Sequence, residues 1–389
     1  MQKEKQPVSV ECILACMYFM CLPFTVVETP VGSLLKLVTF PVVFILGIRF
    51  LMGKSEPVFN YIHLTYAVYI LYTVGLLMMY SADIAVVTTK DMVLGFMMLL
   101  LISVHVYNGR EKNLIETAWI FVGLVCIFLC LTSGEVSSKY ESRTVVRVFG
   151  FEEDQNQFCA YLIMPVLVSL KRMFSEKKLR LFYGAIIVLA FYSILKTGSR
   201  GGLIGVFAGA FVFALIGIKS VKTRIAVIVC GVFAVLAFIT VVIPMLPEDV
   251  AARYSVAAVT ADGGTGRVDI WRFLLNYLVQ APGRMLHGSG LFSTYDIMHS
   301  AGFRNGVAHN AYIQILSDEG IIGLLLFLIV PVLCFTRNLK ENPLYSCAVA
   351  ALAAFSVSLT FYVFKPYINI LIMCAMSFEG SLPQDRLTA

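Results

Sequence analysis

The sequence predicts an all-α integral membrane protein: about twelve transmembrane helices with one large extracytoplasmic loop between spans nine and ten. Three observations carry that expectation. Of the 389 residues, 59% are hydrophobic and only 14% charged, and the mean hydropathy is +0.84, far from the composition of a soluble domain. Apolar runs near the ~20 residues that cross a bilayer recur down the whole chain. The charged residues collect in short clusters between those runs, so the net charge of +6 is not the basic face of a nucleic-acid binder.

Taken in order, the runs fall at 8–27, 31–51, 61–79, 91–107, 114–132, 156–173, 180–196, 200–218, 222–246, 309–335, 343–363 and 366–378. No soluble domain is appended, so residues 1–389 read as a single polytopic membrane domain. The opening MQKEKQ is followed by no small-residue cleavage site, and it reads as the flank of a retained first helix rather than of a signal peptide. All ten cysteines lie in or beside apolar runs, where they serve as small core hydrophobes and suggest neither a disulfide framework nor a zinc site.

Lysine and arginine bias sets the orientation. With both termini in the cytoplasm, Lys3, Lys5, Arg49, Lys54, Arg110, Lys112, Lys171, Arg172, Lys177, Lys178, Arg180, Lys219, Lys222, Arg224, Arg337, Lys340 and Arg386 all fall inside. The two long polar loops, 133–155 and 247–308, then fall outside. The first carries Glu135, Glu141, Glu152, Glu153 and Asp154 beside Lys139, Arg143 and Arg147, and leads into the sixth span with Asp154 or Asn156 as its N-cap. The second belongs to the longest polar interval of the chain, Asp262 to Gly320, which is where chemistry is expected.

Three residues in this frame stand out. In Lys196-Thr-Gly-Ser-Arg-Gly-Gly202, Ser199 is a good N-cap and Arg200 enters the first helical turn. A cation there opposes the helix dipole by ~0.3–1 kcal/mol. With an anion present, Arg200, Ser199 and the free amides of the turn become an anion site instead. The competing reading is an interfacial arginine reaching outward past glycines that serve helix packing. Gly263-Gly-Thr-Gly-Arg267 repeats the device ahead of an amphipathic helix, 268–280, whose apolar face carries Ile270, Trp271, Leu274, Leu275 and Leu278. Here the alternative is that Arg267 and Arg272 contact lipid headgroups. His309-Asn310 opens the tenth span, so an imidazole stands at an outward-facing helix start, suited to general-base work or to a structural hydrogen bond. Two arginines match a diphosphate, and a nearby base would suit transfer from a pyrophosphate-activated donor. His287 and His299 match no metal-ligand spacing with His309. Asp318-Glu319, one to two turns below His309, suits orienting a site residue or pairing locally.

At these residues the chain resembles the bacterial O-antigen ligase and polymerase superfamily of membrane glycosyltransferases. The resemblance rests on TGSRGG at 197–202, GRVDIW at 266–271, GSGLF at 288–292 and HNAYIQILSDEGIIGL at 309–324, with a weaker match in EDQNQF at 153–158. It covers about 150–335, taken as the catalytic part. It implies a GT-C-like fold and a metal-independent, inverting transfer from an undecaprenyl-pyrophosphate-linked glycan, with no cofactor. His309, Arg200 and Arg267 are then the catalytic residues, and Ser199, Asn310, Arg272, Asn156 and Tyr312 the substrate-binding ones. The implied function is a repeat-unit polymerase for O-antigen, capsule or exopolysaccharide in the bacterial cytoplasmic membrane, with its active site on the outer face. The partners expected are the acceptor glycan or glycolipid, the lipid bilayer and, for a polymerase, a chain-length regulator. The alternative within the family is a ligase that moves a finished glycan to lipid A-core or another acceptor. A transporter or lipid flippase is the reading from another class, and it expects ionisable groups deep in the spans.

Overall fold

The computed structural model describes residues 7–30, 32–54, 57–78, 83–136, 144–245, 251, 266–303, 306–360 and 365–379. Lys3, Lys5, Lys139, Glu141, Arg143, Arg386 and the start of the polar interval at Asp262 lie outside them. The helices are α1 (Val10–Met20), α2 (Leu34–Leu51), α3 (Tyr61–Leu77), α4 (Asp83–Ser103), α5 (Gly109–Ser133), α6 (Gln155–Tyr161), α7 (Ile163–Ser175), α8 (Arg180–Thr197), α9 (Arg200–Val212) and α10 (Val221–Ala237). After these come α11 (Arg267–Val279), α12 (Pro282–His287), α13 (Ser293–Ser300), α14 (Ala311–Glu341), α15 (Pro343–Ser356) and α16 (Lys365–Ala375).

Eight helical segments among the described residues are long and apolar enough to cross a membrane. Four shorter apolar helices, α1, α3, α15 and α16, lie where the remaining expected spans fall. Local chemistry explains many of the helix starts. Ser9, Ser33, Asn60, Asn108, Asp154, Ser199 and Asn310 each accept a backbone N–H of the turn they open. Asn60 and Asn108 form reciprocal capping boxes with His63 and Glu111.

The structure departs from an all-helical description in two short strand pairs, β1 (Glu28–Thr29) with β2 (Gly32–Ser33) and β3 (Val106–Tyr107) with β7 (Ser377–Phe378), and in the loop after α5. There β4 (Gly134–Val136), β5 (Thr144–Val148) and β6 (Phe151–Glu153) pair antiparallel in the order β4-β5-β6. The β-branched run Thr144–Val148 favours a strand. Phe149 and Gly150, both at positive φ, make the two-residue turn to β6. This sheet delivers Glu153 and Asp154 to the start of α6.

The core gathers α5, α7, α14, α15 and α16 against α1 and α3. Helix α9 packs on α15 through Gly201, Gly205 and Gly209, one on each successive turn. A Cβ at Gly205 would stand 3.0 Å from that of Phe355, and one at Gly209 would stand 2.9 Å from that of Ala351. Small residues at this spacing let two membrane helices approach closely. The packing role weighed for these glycines therefore holds alongside any role of Arg200.

At one end of the bundle the basic residues are tied to neighbouring helices. Arg49 pairs with Glu11 at 2.7 Å and Lys171 with Glu116 at 2.7 Å. Arg172 donates to the Asn113 carbonyl and Arg337 to that of Ala375. The backbone N–H of Ser9 donates to Glu111 Oε1 at 2.6 Å. The opposite end carries the three-stranded sheet, the starts of α6, α9 and α14, and the amphipathic helix α11.

Candidate active site

The site is organised by a break in α14. At Gly320 the backbone turns to φ 70°, ψ −170°, a region that is essentially glycine's alone. Gly288, the C-cap of α12, takes φ 76°, ψ −166° in the same region. The two glycines lie back to back, and a Cβ on either would collide with the other segment's backbone. The break would leave carbonyls of α14 unsatisfied. Ser289 N–H donates to the Ser317 carbonyl and Gly290 N–H to that of Asp318, both at 3.0 Å. The GSG and DEG stretches thus form one backbone-to-backbone joint.

The Asp318 side chain, fully buried, completes the joint. Its Oδ1 accepts Thr294 N–H at 2.9 Å and Thr294 Oγ1 at 2.6 Å, acting as the N-cap that α13 lacks from its own residues. Its Oδ2 accepts Gln314 Nε2 at 2.7 Å. Gln314, itself buried, turns its Oε1 toward Ala308 and accepts that backbone N–H at 2.8 Å. Glu319 anchors the break to α3, accepting Tyr69 Oη at 3.0 Å while its carbonyl accepts Tyr72 Oη at 2.7 Å.

This network ends at His309. The N–H of Ala308 is held by Gln314, and its carbonyl accepts Trp271 Nε1 at 2.8 Å. On the other side Asn310 is fixed by its cap, accepting Tyr312 N–H at 3.0 Å and Ile313 N–H at 3.1 Å. Between these two clamped residues His309 sits at φ 50°, a left-handed conformation uncommon outside glycine, asparagine, aspartate and histidine. Such local strain persists only where the surroundings over-determine it, and it concentrates at functional sites. The imidazole is half-buried.

Arg267 is the first residue of α11, following Gly266 at φ 73°. Trp271 lies one turn further on the same face, so its bond to the Ala308 carbonyl ties the first turn of α11, which Arg267 opens, to the residue before His309. Ile270 and Leu274 bury the rest of that face against Met298 and Ala308. Arg272 points elsewhere, exposed and paired with Asp269 at 3.3 Å.

Arg200 opens α9, and Ser199 caps it by accepting Gly202 N–H at 3.1 Å. The Ser199 hydroxyl donates to Asn156 Oδ1 at 2.8 Å, while Asp154, rather than Asn156, caps α6. The start of α6 is thereby sewn to the start of α9. The starts of α9 and α14 both meet the C-terminal end of α15 or the residues just after it. Gly201 lies against Phe355 and Ser358, and Tyr312 Oη donates to the Ala353 carbonyl at 2.9 Å. The structure thus gathers Arg200, Ser199, Asn156, Arg267, His309, Asn310 and Tyr312 at one end of the bundle. Asn310 and the Tyr312 hydroxyl are engaged within the protein, and Arg272 lies on the far side of α11.

Arg200, Arg267 and His309 are each half-buried. Two cations at helix starts, where backbone N–H groups already favour negative charge, suit a diphosphate. An imidazole at a third helix start suits proton removal from a hydroxyl. Among the described residues no group of three His, Cys, Asp or Glu side chains is arranged to hold a metal ion. Reasoning from the sequence alone misses Trp271 as more than an apolar-face residue, and misses Gln314 and Thr294 altogether. Their partners are the backbone of Ala308 and the carboxylate of Asp318, which no spacing rule reveals. The one available signal is an indole and an amide at positions otherwise suited to packing, since a buried indole N–H seeks an acceptor.

Residues 185–328 match the family model described as O-antigen ligase. That stretch runs from within α8 into α14 and contains Arg200, Arg267, Trp271, His309, Gln314 and Asp318. No curated protein matches the chain.

Proposed function

We propose, for a chain whose residues 185–328 match the family model described as O-antigen ligase, a polysaccharide repeat-unit polymerase working at the outer face of the cytoplasmic membrane. Its donor is a glycan on undecaprenyl pyrophosphate, and its acceptor is a sugar hydroxyl of the next lipid-linked unit. Arg200 and Arg267 hold the pyrophosphate, each guanidinium facing phosphate oxygens. His309 takes the acceptor's hydroxyl proton as the oxygen bonds to the anomeric carbon. The bond from that carbon to the phosphate oxygen breaks with its electron pair, and undecaprenyl pyrophosphate leaves with its charge stabilised by the two arginines. Attack opposite the leaving group inverts the anomeric centre.

One observation supports this reading most strongly: Trp271 and Gln314 grip both backbone groups of Ala308, setting His309 beside the helix that begins at Arg267. A ligase is the second reading, favoured by the description of the matched family. It uses the same three residues and differs in its acceptor.

The test is purified protein with a synthetic undecaprenyl-pyrophosphate repeat unit and no other acceptor, with products resolved on a gel. A ladder supports the polymerase. Transfer only when a core lipid is supplied makes it a ligase. Silence in both refutes the reading of the site as a glycosyltransferase.

A further inference from the structure

On the same end of the bundle as His309, a cavity of about 550 Å³ opens between the segment after α1, the N-terminal part of α4, β6 and the start of α16. Its ionisable lining is Glu28, Asp91, Glu152, Glu153, Asp154 and Lys365, five acids against one base. Several of these are engaged. Asp91 faces Lys365 at 3.8 Å, Glu152 pairs with Arg147 at 2.9 Å, and Asp154 caps α6.

Glu153 differs from them. It is 4% exposed, and among the described residues its Oε1 accepts the N–H of Asp154 at 3.1 Å while its Oε2 has no hydrogen-bond partner. A buried carboxyl oxygen left without a partner costs about 1–3 kcal/mol, so it marks a place where a ligand completes the bonding. A cation cage does not fit, because no three acidic or metal-ligating groups converge among the described residues. The volume falls within the ~300–1,000 Å³ usual for small-ligand sites.

We propose that this cavity is a saccharide site, taking a neutral or aminated sugar through the carboxyl groups of Glu153 and its acidic neighbours and rejecting an anionic one. Sugar hydroxyls supply the donors that carboxyl oxygens need. Burial, with Asp154 adjacent, raises Glu153 to about 8, so near neutrality it also offers a proton to a sugar oxygen. The placement suggests which sugar is bound, and here the inference rests on the glycosyltransferase reading. Gln157 lines the cavity one residue after Asn156, which grips Ser199 ahead of Arg200. An acidic chamber next to an anion site repels the pyrophosphate donor, so it suits the acceptor sugar.

The test uses the full-length protein in detergent and saturation-transfer NMR with methyl glucoside, methyl glucosaminide and methyl glucuronide at millimolar concentration. We expect the first two to bind and the glucuronide not to, with Glu153→Ala weakening binding about tenfold or more, as losing a buried hydrogen-bonding group does. Glu153→Gln, which keeps the shape and one carbonyl oxygen, is expected to fall between, and cooperative thermal unfolding shows that both variants are folded. Equal binding of the glucuronide, unchanged binding in Glu153→Ala, or no binding of any of the three overturns the site. In the donor assay, a wild type that transfers nothing while sugars still bind through Glu153 sinks the glycosyltransferase reading alone. A ladder from a wild type whose sugar binding ignores Glu153 sinks the saccharide site alone.

Discussion

The two ends of the bundle use the same basic side chains in opposite ways. At one end Arg49 and Arg172 sit in the last turns of α2 and α7, where the helix dipole welcomes a cation. Arg49 and Lys171 also meet carboxylates, Glu11 and Glu116, that are almost wholly buried. At the other end Arg200 and Arg267 are the first residues of their helices, where the dipole opposes them. Each helix has other support: Ser199 caps α9, and the face of α11 opposite the solvent is held by Ile270, Trp271 and Leu274. A cation in the last turn is favoured by the helix field, whereas one in the first turn is opposed by it unless an anion is near. That contrast, more than the arginines themselves, singles out the site.

Removing the charges at each end tests the contrast most severely. Arg200→Ala, Arg267→Ala and His309→Ala are each expected to lower transfer by about 10²–10⁴-fold while moving the melting temperature little. Rates within about threefold of the wild type for all three would mean that these groups only meet lipid headgroups. Lys171→Ala should do the reverse. It strands the Glu116 carboxylate, which is 1% exposed, and is expected to cost about 1–3 kcal/mol of stability with the acceptor KM unchanged.

What the sequence makes legible depends on the range of the interaction. Caps are local, so Ser199 and Asp154 can be read from the residues that follow them. The membrane spans follow from hydropathy, and the two-ended distribution of charge from the loops. The joint between Gly288-Ser-Gly290 and Asp318-Glu-Gly320 shows in the sequence only as two separate glycine-bearing strings. Their relation is a backbone contact across about thirty residues of chain, and backbone carries no letter in a sequence. The small sheet at β4–β6 escapes a reading based on 3.6-residue periodicity, because Thr144–Val148 is a β-branched run too short to compete with it.

The joint gives the next prediction. Gly320→Ala places a Cβ against the Leu286 carbonyl and the Gly288 amide, in a backbone region closed to other residues. It is expected to cost about 1–3 kcal/mol or more and to abolish transfer by displacing His309, without touching any group that meets substrate. A folded, fully active variant would show that the break in α14 does not set the histidine. Trp271→Phe is milder. It keeps the ring's packing and leaves the buried Ala308 carbonyl without its donor, so kcat should fall about tenfold, the equivalent of one lost hydrogen bond, with the donor KM little changed. A purely structural tryptophan would show lost stability with the kinetic constants of the surviving enzyme intact.

The last comparison concerns Glu153 and separates a charge that helps folding from one that does not. Its carboxyl is held up from the ordinary 4.5 to about 8, chiefly by burial and then by Asp154. Below the lower value both the folded and the unfolded chain carry the proton, and folding is indifferent to pH at this group. Between the two, the unfolded chain releases the proton while the folded one keeps it, so stability falls as pH rises, by up to about 1.4 kcal/mol per unit. Above about 8 both forms are ionised and the loss levels off. Glu153→Gln removes the group that titrates, so its melting temperature should gain on the wild type from about pH 5 to 8 and then run parallel. A difference that stays constant across that range would mean that Glu153 is already ionised in the folded protein. It would then be placed with Glu11 and Glu116, as a charge the fold has compensated, and not with the groups held ready at the opposite end.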